Sequence, residues 1–162
     1  MLATALTSAA QAWGTYYSDH TAIRIAVSFC HFAGLMAGGG LAVAADRGTL
    51  RHARGSAAER AAHLDELYAI HRVVVSGLVL VFASGILMAA ADLETMLASR
   101  IYWTKMALVA LLVANGVVMQ RAERLARTAP VKGWPRLHRA AVTSLVLWFL
   151  IVLAGTVLTL DA

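Results

Sequence analysis

The segment AIRIAVSFCHFAGLMAGGGLAVAA, residues 22–45, decides the fold of this chain. It is long and apolar enough to cross a bilayer as a helix, which takes about 20 consecutive apolar residues. His31 lies inside this run, where a polar side chain is costly and usually faces protein or a water-filled cavity. At about 100° per residue, His31, Gly34 and Gly38 share one helical face, and small residues allow helices to approach closely. The pattern predicts that His31 faces a neighbouring helix and not lipid.

Two interpretations of His31 fit this position. In the first, the imidazole is hydrogen-bonded to a neighbouring backbone carbonyl and has a structural role, as buried polar groups usually do. In the second, it is a ligand of a metal ion or of haem iron. The polar groups of the other apolar segments bear on this choice.

The composition is that of a membrane protein. The 162 residues are 60% hydrophobic, against about 45–50% apolar residues in soluble domains. The formal charge of +5 comes from basic residues between apolar segments, where they set membrane topology, so we expect no nucleic-acid partner. The single cysteine, Cys30, excludes an internal disulfide and is expected in the core. No basic segment precedes the first apolar residues, so the first span is expected to act as its own insertion signal.

Four apolar segments predict four membrane spans in one domain, residues 1–162. The predicted spans are residues 22–45, 69–91, 101–120 and 140–160. Ser56 and Glu59 have the spacing of a capping box, which predicts that the second helix begins several turns before it enters lipid. Short connections favour antiparallel neighbours. The predicted fold class is therefore all-α, an integral membrane antiparallel four-helix bundle. Its expected partner is the lipid bilayer.

Basic residues concentrate in two of the connections. They are Arg47, Arg51, Arg54 and Arg60 in the first, and Arg121, Arg124, Arg127, Lys132, Arg136 and Arg139 in the last. Loops rich in Lys and Arg stay in the cytoplasm. The pattern predicts a multi-pass protein of the bacterial inner (plasma) membrane with both termini outside the cytoplasm.

Two histidines open predicted spans at the cytoplasmic border. His71 lies at the start of the second span and His138 just before the fourth, so both lie at one height in an antiparallel bundle. Two imidazoles at one depth are the geometric requirement of a bis-histidine haem. The alternative is a pair of interfacial histidines that bind lipid phosphate or water beside the neighbouring arginines. Of the two possible haem levels, this inner pair is preferred.

A second polar level lies near the outer surface. By helical rise, His31, Met88 and Met106 all lie about 21–24 Å from the cytoplasmic border. Imidazole and thioether together suit Cu(I), or haem with mixed axial ligands, although methionine commonly only fills gaps in apolar cores. Lys105, at the same level, is expected to snorkel to the outer surface, or else to pair with a propionate of a cofactor. The three remaining histidines, His20, His52 and His63, lie outside the spans and are expected at the surface.

Several positions resemble known families. His31 in the first helix, YWTKMALVALLVANG opening the third, and LHRAAVTSLVLWFLIVLAG in the fourth resemble the CopD-like copper-resistance membrane domains and the HemJ-type membrane protoporphyrinogen oxidases. The resemblance implies functional positions at His31, Trp103 and Lys105. The HemJ type implies haem b and oxidation of a porphyrinogen, and the CopD type implies copper movement. The fourth helix lacks the asparagine-containing opening of the HemJ type.

The sequence therefore predicts an integral membrane haem b protein with an electron-transfer or redox role, and His31, His71 and His138 are its candidate ligands. A CopD-like copper-handling protein that uses His31, Met88 and Met106 is the first alternative. A cofactor-free accessory subunit of a membrane complex is the second. The sequence leaves three further questions open: whether the partner is a quinone or a redox protein, whether the chain forms an oligomer or a complex, and whether it is a membrane oxidoreductase.

Overall fold

The computed structural model describes residues 2–161, with side chains described for residues 7–160, and this part of the chain is helical without strands. The helices are α1 Leu2–Asp19, α2 Thr21–His52, α3 Ala57–Ala91, α4 Leu93–Ala98, α5 Arg100–Thr128 and α6 Pro130–Asp161. A π-helical turn, Leu35–Gly39, interrupts α2. The predicted all-α fold class is confirmed.

Four of these helices, α2, α3, α5 and α6, are long and apolar enough to cross a membrane. Each contains one predicted span and continues beyond it on the side of the basic residues. The capping box that begins α3 is confirmed: Ser56 N donates to Glu59 Oε2 at 2.7 Å, and Glu59 N donates to Ser56 Oγ at 3.3 Å. These two bonds satisfy backbone donors that a helix start otherwise leaves without partners.

The basic segment between the last two spans is helical and not an open loop. Helix α5 continues to Thr128 and α6 already begins at Pro130. Proline is tolerated in a first helical turn, because its missing N–H has no intrahelical partner there. The connection is therefore a tight turn at Ala129, and α5 and α6 form an antiparallel pair. Asn115 Nδ2 of α5 donates a hydrogen bond to Ala140 O of α6 at 3.0 Å.

Two helix pairs make the bundle. Helix α3 packs along α2, and α5 packs along α6. The second half of α2 joins the two pairs by packing on α6, whereas α3 and α5 have few contacts with each other.

Contacts at both ends hold the bundle together. Near the basic end, an apolar core closes the bundle, and Arg127 of α5 donates to Asp65 of α3 at 2.7 Å. The core consists of Leu64, Leu67, Ala122, Ala126, Trp134 and Leu137. At the opposite end, Trp13 Nε1 of α1 donates to Leu87 O of α3 at 2.8 Å.

Glycines bring α2 and α3 into backbone contact. A Cβ added at Gly77 would lie 2.5 Å from Gly38 N and 2.6 Å from Gly38 Cα, and one added at Gly34 would lie 2.9 Å from Gly77 O. Such separations are available only to residues without a Cβ, and small residues at helix crossings are how membrane helices associate. The predicted helix-facing stripe of Gly34 and Gly38 is confirmed.

We predict that Gly38→Ala and Gly77→Ala destabilise the protein, because the new methyl meets backbone that cannot move aside, and overpacking typically costs about 1–3 kcal/mol. Gly40→Ala is the matched control in the same helix, since a Cβ there meets nothing within 4 Å. This control should be neutral or stabilising by roughly 0.5–1 kcal/mol, the usual gain for Gly→Ala in a helix. Thermal unfolding in detergent measures the difference, and equal melting temperatures for all three variants would contradict the close contact.

Candidate functional site

His31 lies at the α2–α3 contact, half-buried, with its ring against a glycine of the opposite helix. A Cβ added at Gly85 would lie 3.4 Å from His31 Cε1, so the imidazole packs directly against this part of α3. His31 Nδ1 is 3.1 Å from Ser84 Oγ. The sequence-based expectation that His31 faces a helix is confirmed.

The hydrogen bonds around Ser84 assign the tautomer of this histidine. Ser84 Oγ donates to Leu80 O at 2.6 Å, so its hydrogen is already committed and its lone pairs accept from His31 Nδ1–H. A neutral imidazole with its hydrogen on Nδ1 carries a free lone pair on Nε2. Metal-binding histidines commonly donate the other ring N–H to a fixed acceptor in this way, which orients the ring.

Lys105 lies at the same level as His31 and points into the bundle. It is half-buried on α5, and its Nζ is 3.4 Å from the position of a Cβ added at Gly155 on α6. It is also close enough to His31 for electrostatic interaction. The ammonium group therefore lies beside α6, and the expectation that Lys105 snorkels to the outer surface stays a prediction.

The other outer-level candidates are less enclosed. Met88 follows Ser84 by one helical turn on α3 and is 38% exposed, and Met106 is half-buried beside Lys105. Trp103, which the family resemblance singles out, is exposed and donates from Nε1 to Leu97 O at 3.0 Å. Within the part of the chain whose side chains are described, no three His, Cys, Asp or Glu side chains converge as a metal site. Any metal at His31 would take its other ligands from methionine, water or a macrocycle.

The two inner histidines lie in separate pockets. His71 of α3 is exposed in a pocket of about 310 Å³, where its Nε2 is 3.4 Å from Gln120 Nε2 and Glu123 is a neighbour. His138 of α6 is exposed in a pocket of about 470 Å³ with Arg60 and Trp134. The two pockets share no lining residue. The bis-histidine site stays a prediction, without a common pocket to support it.

His63 is buried, with 3% of its surface exposed, so the expectation of a surface histidine is wrong. Its Nε2 lies 2.9 Å from Thr49 Oγ1 of α2, its Nδ1 lies 3.5 Å from Glu66 Oε2, and the half-buried His52 stacks on its ring at 4.8 Å. The ring fits because a Cβ added at Gly48 would lie only 2.7 Å from His63 Cε1. This pairing holds α2 to the protruding first turns of α3.

Sequence reasoning also missed a buried carboxylate. Asp46 is 2% exposed in the contact between α2 and α6, where it interacts with Ser144, and among the described residues its Oδ2 has no hydrogen-bond partner. The signal for its burial is spacing: Asp46 follows Gly39 by two helical turns and so lies on the same face. Gly39 is the residue whose added Cβ would lie 3.0 Å from Trp148 of α6.

The structure thus brings together His31, Ser84 and Lys105 at the outer level: an imidazole with a free lone pair beside a cation in an apolar bundle. Chemically, this set can supply a nitrogen ligand and neutralise an anionic group. No protein-family model matches the chain, and no curated protein or solved structure is significantly similar to it.

Proposed function

We propose that this chain is an integral membrane protein that binds haem b in the outer half of its helix bundle and uses it in electron transfer or a redox reaction. The observation that carries the proposal is the hydrogen bond of His31 Nδ1 to Ser84 Oγ. It fixes the ring and leaves Nε2 as a ligand, and axial histidine is a common haem ligand. When bound, the haem would supply a one-electron redox centre.

The charge of Lys105 favours haem over copper. Haem b carries two propionates, and an ammonium group beside His31 would pair with one of them through a charge-assisted hydrogen bond. A copper ion at His31, with Met88 and Met106 as neutral donors, would instead be repelled by the same ammonium. Copper handling is therefore the alternative, and the cofactor-free accessory subunit is the outcome if neither binds.

The outer level supports the proposal better than the inner pair. Haem held by His71 and His138 needs both imidazoles in one cavity, and they line two. His31 together with Met106 or Met88 would hold the haem iron, and methionine ligation would raise the reduction potential relative to two histidines. Few contacts join α3 and α5, and this lipid-facing side of the bundle is where a quinone or a redox partner would approach.

We predict that His31→Ala abolishes haem binding and that Ser84→Ala weakens it about 10- to 100-fold, the usual effect of removing the partner that orients a ligand. His20→Ala is the matched control, because His20 is exposed and, among the described residues, its ring hydrogen-bonds to Tyr16 O one helical turn earlier. Absorption spectra, pyridine haemochrome assay and total metal analysis of the purified protein measure the outcome. Full haem in folded His31→Ala protein would contradict the site, and copper without a Soret band would favour the alternative.

Lys105→Leu separates the two cofactors by the sign of its effect. Haem affinity should fall about tenfold, because a propionate loses a charge-assisted hydrogen bond worth more than about 1.4 kcal/mol. Copper affinity should rise, because a repelling charge is removed. Titration of the apoprotein with hemin and with Cu(I) measures both, and Lys105→Arg is the control, because it changes the side chain at the same position and keeps the charge.

We further propose that the protein lies in the bacterial inner membrane with its termini outside the cytoplasm, since the basic residues cluster at the ends of the helices near Arg54 and Ala129. The test introduces single cysteines in a Cys30→Ala background. The Arg54→Cys variant should be protected from a membrane-impermeant maleimide in intact cells, whereas the Asp92→Cys variant should react. The reverse labelling pattern would overturn this orientation.

A further inference from the structure

A basic pocket lies where the turn between α2 and α3 meets the start of α6. Its volume is about 470 Å³, and every residue that lines it is neutral or basic. The residues that matter here are Arg60, Trp134, His138 and Arg139, with Pro130 and Val131 from the first turn of α6. This pocket shares no residue with the outer site around His31, so what binds there is independent of the proposed function.

Arg60 is held in place before any ligand arrives. Its Nε donates to His52 O at 3.4 Å, its Nη2 donates to Ala53 O, and its guanidinium lies 5.3 Å from the centre of the buried Trp134 ring. These contacts use Nε and Nη2 and leave the Nη1 hydrogens for a ligand. An arginine that is already ordered loses little side-chain entropy on binding, which favours affinity.

The start of α6 adds to the positive potential of the pocket. This helix is 32 residues long, and its first residues line the pocket, so the positive end of the helix dipole lies beside the arginines. Pro130 has no N–H, and Lys132 N and Gly133 N both donate to Ala129 O, so the helix start contributes chiefly its dipole. Helix starts combined with arginine are a recurrent binding arrangement for phosphate groups.

The depth of the pocket selects the source of that phosphate. Arg139 is followed directly by the apolar segment 140–160 of α6, so in a bilayer the pocket lies at the level of the lipid headgroups. We propose that the pocket formed by Arg60, Trp134, His138 and Arg139 binds the phosphate group of an anionic phospholipid.

The test uses delipidated full-length protein in a neutral detergent, with thermal unfolding followed as phosphatidylglycerol or phosphatidylcholine is added. A ligand that binds only the folded state raises the melting temperature with its concentration, which yields an apparent affinity. We expect stabilisation by phosphatidylglycerol and little by phosphatidylcholine. Equal stabilisation by both lipids would overturn the proposal.

Arg139→Gln and Arg136→Gln form the matched pair for this assay. Both remove one positive charge from the same exposed stretch of α6, but Arg136 does not line the pocket. Arg139→Gln should weaken phosphatidylglycerol binding about tenfold, the usual effect of losing one charge-assisted hydrogen bond, and Arg136→Gln should leave it within about twofold, the scale of a screened surface charge. Equal losses in the two variants would mean diffuse surface charge and would overturn the pocket.

A second pair keeps the test valid if Arg139→Gln folds poorly. Val131 is 89% exposed at the pocket edge, so Val131→Glu introduces an acid there and Val131→Gln is its uncharged equivalent. Acidic residues in a first helical turn favour the helix, so the glutamate variant should fold. It should bind phosphatidylglycerol more weakly than the glutamine variant, and equal binding would contradict the proposal.

Inorganic phosphate in place of lipid distinguishes the two possible sources. Weak stabilisation by phosphate that disappears in Arg139→Gln supports a phosphate site whose physiological ligand is the larger lipid. Stabilisation by inorganic phosphate with none by phosphatidylglycerol would overturn the assignment to a lipid.

Discussion

The backbone contact between Gly38 and Gly77 sets the register of α2 on α3, and the outer site depends on that register. Seven residues before Gly38 on α2 is His31, and seven residues after Gly77 on α3 is Ser84. In antiparallel helices the same number of steps in opposite directions covers the same length, about 10 Å. The glycine contact therefore brings His31 opposite Ser84, and their hydrogen bond is a consequence of helix packing.

Helix α2 uses a second face for α6, and its π-helical turn lies where the two faces meet. Leu35–Gly39 adds a residue to the turn, which changes the angle between side chains before and after it. Gly38 contacts α3, whereas Gly39 contacts Trp148 of α6 and Asp46 continues that contact at Ser144. One helix thus joins the two antiparallel pairs, and the carboxylate is buried because it lies on the joining face.

Glycines also lie beside the polar side chains inside the bundle. His31 lies against Gly85, Lys105 against Gly155 and His63 against Gly48. A polar side chain between apolar helices is tolerated when it has partners and room, and for His63 the missing Cβ of Gly48 on the opposite helix provides the room without breaking the helix. Arg60 and Arg139 need no such space, because they lie in an open pocket.

Local features of the sequence are enough to predict the helices. Apolar length predicted the four long helices, Ser56 and Glu59 predicted the start of α3, and the spacing of Gly34 and Gly38 predicted the face that packs, because these features depend on residues close together in the chain. Tertiary structure decided which polar groups meet. The depth of His71 and His138 is a property of each helix alone. Depth does not give the direction in which each side chain faces, and in the structure the two line separate pockets. His63 is buried against a glycine of an earlier segment, and Lys105 lies beside a glycine of another helix. No local pattern contains that information.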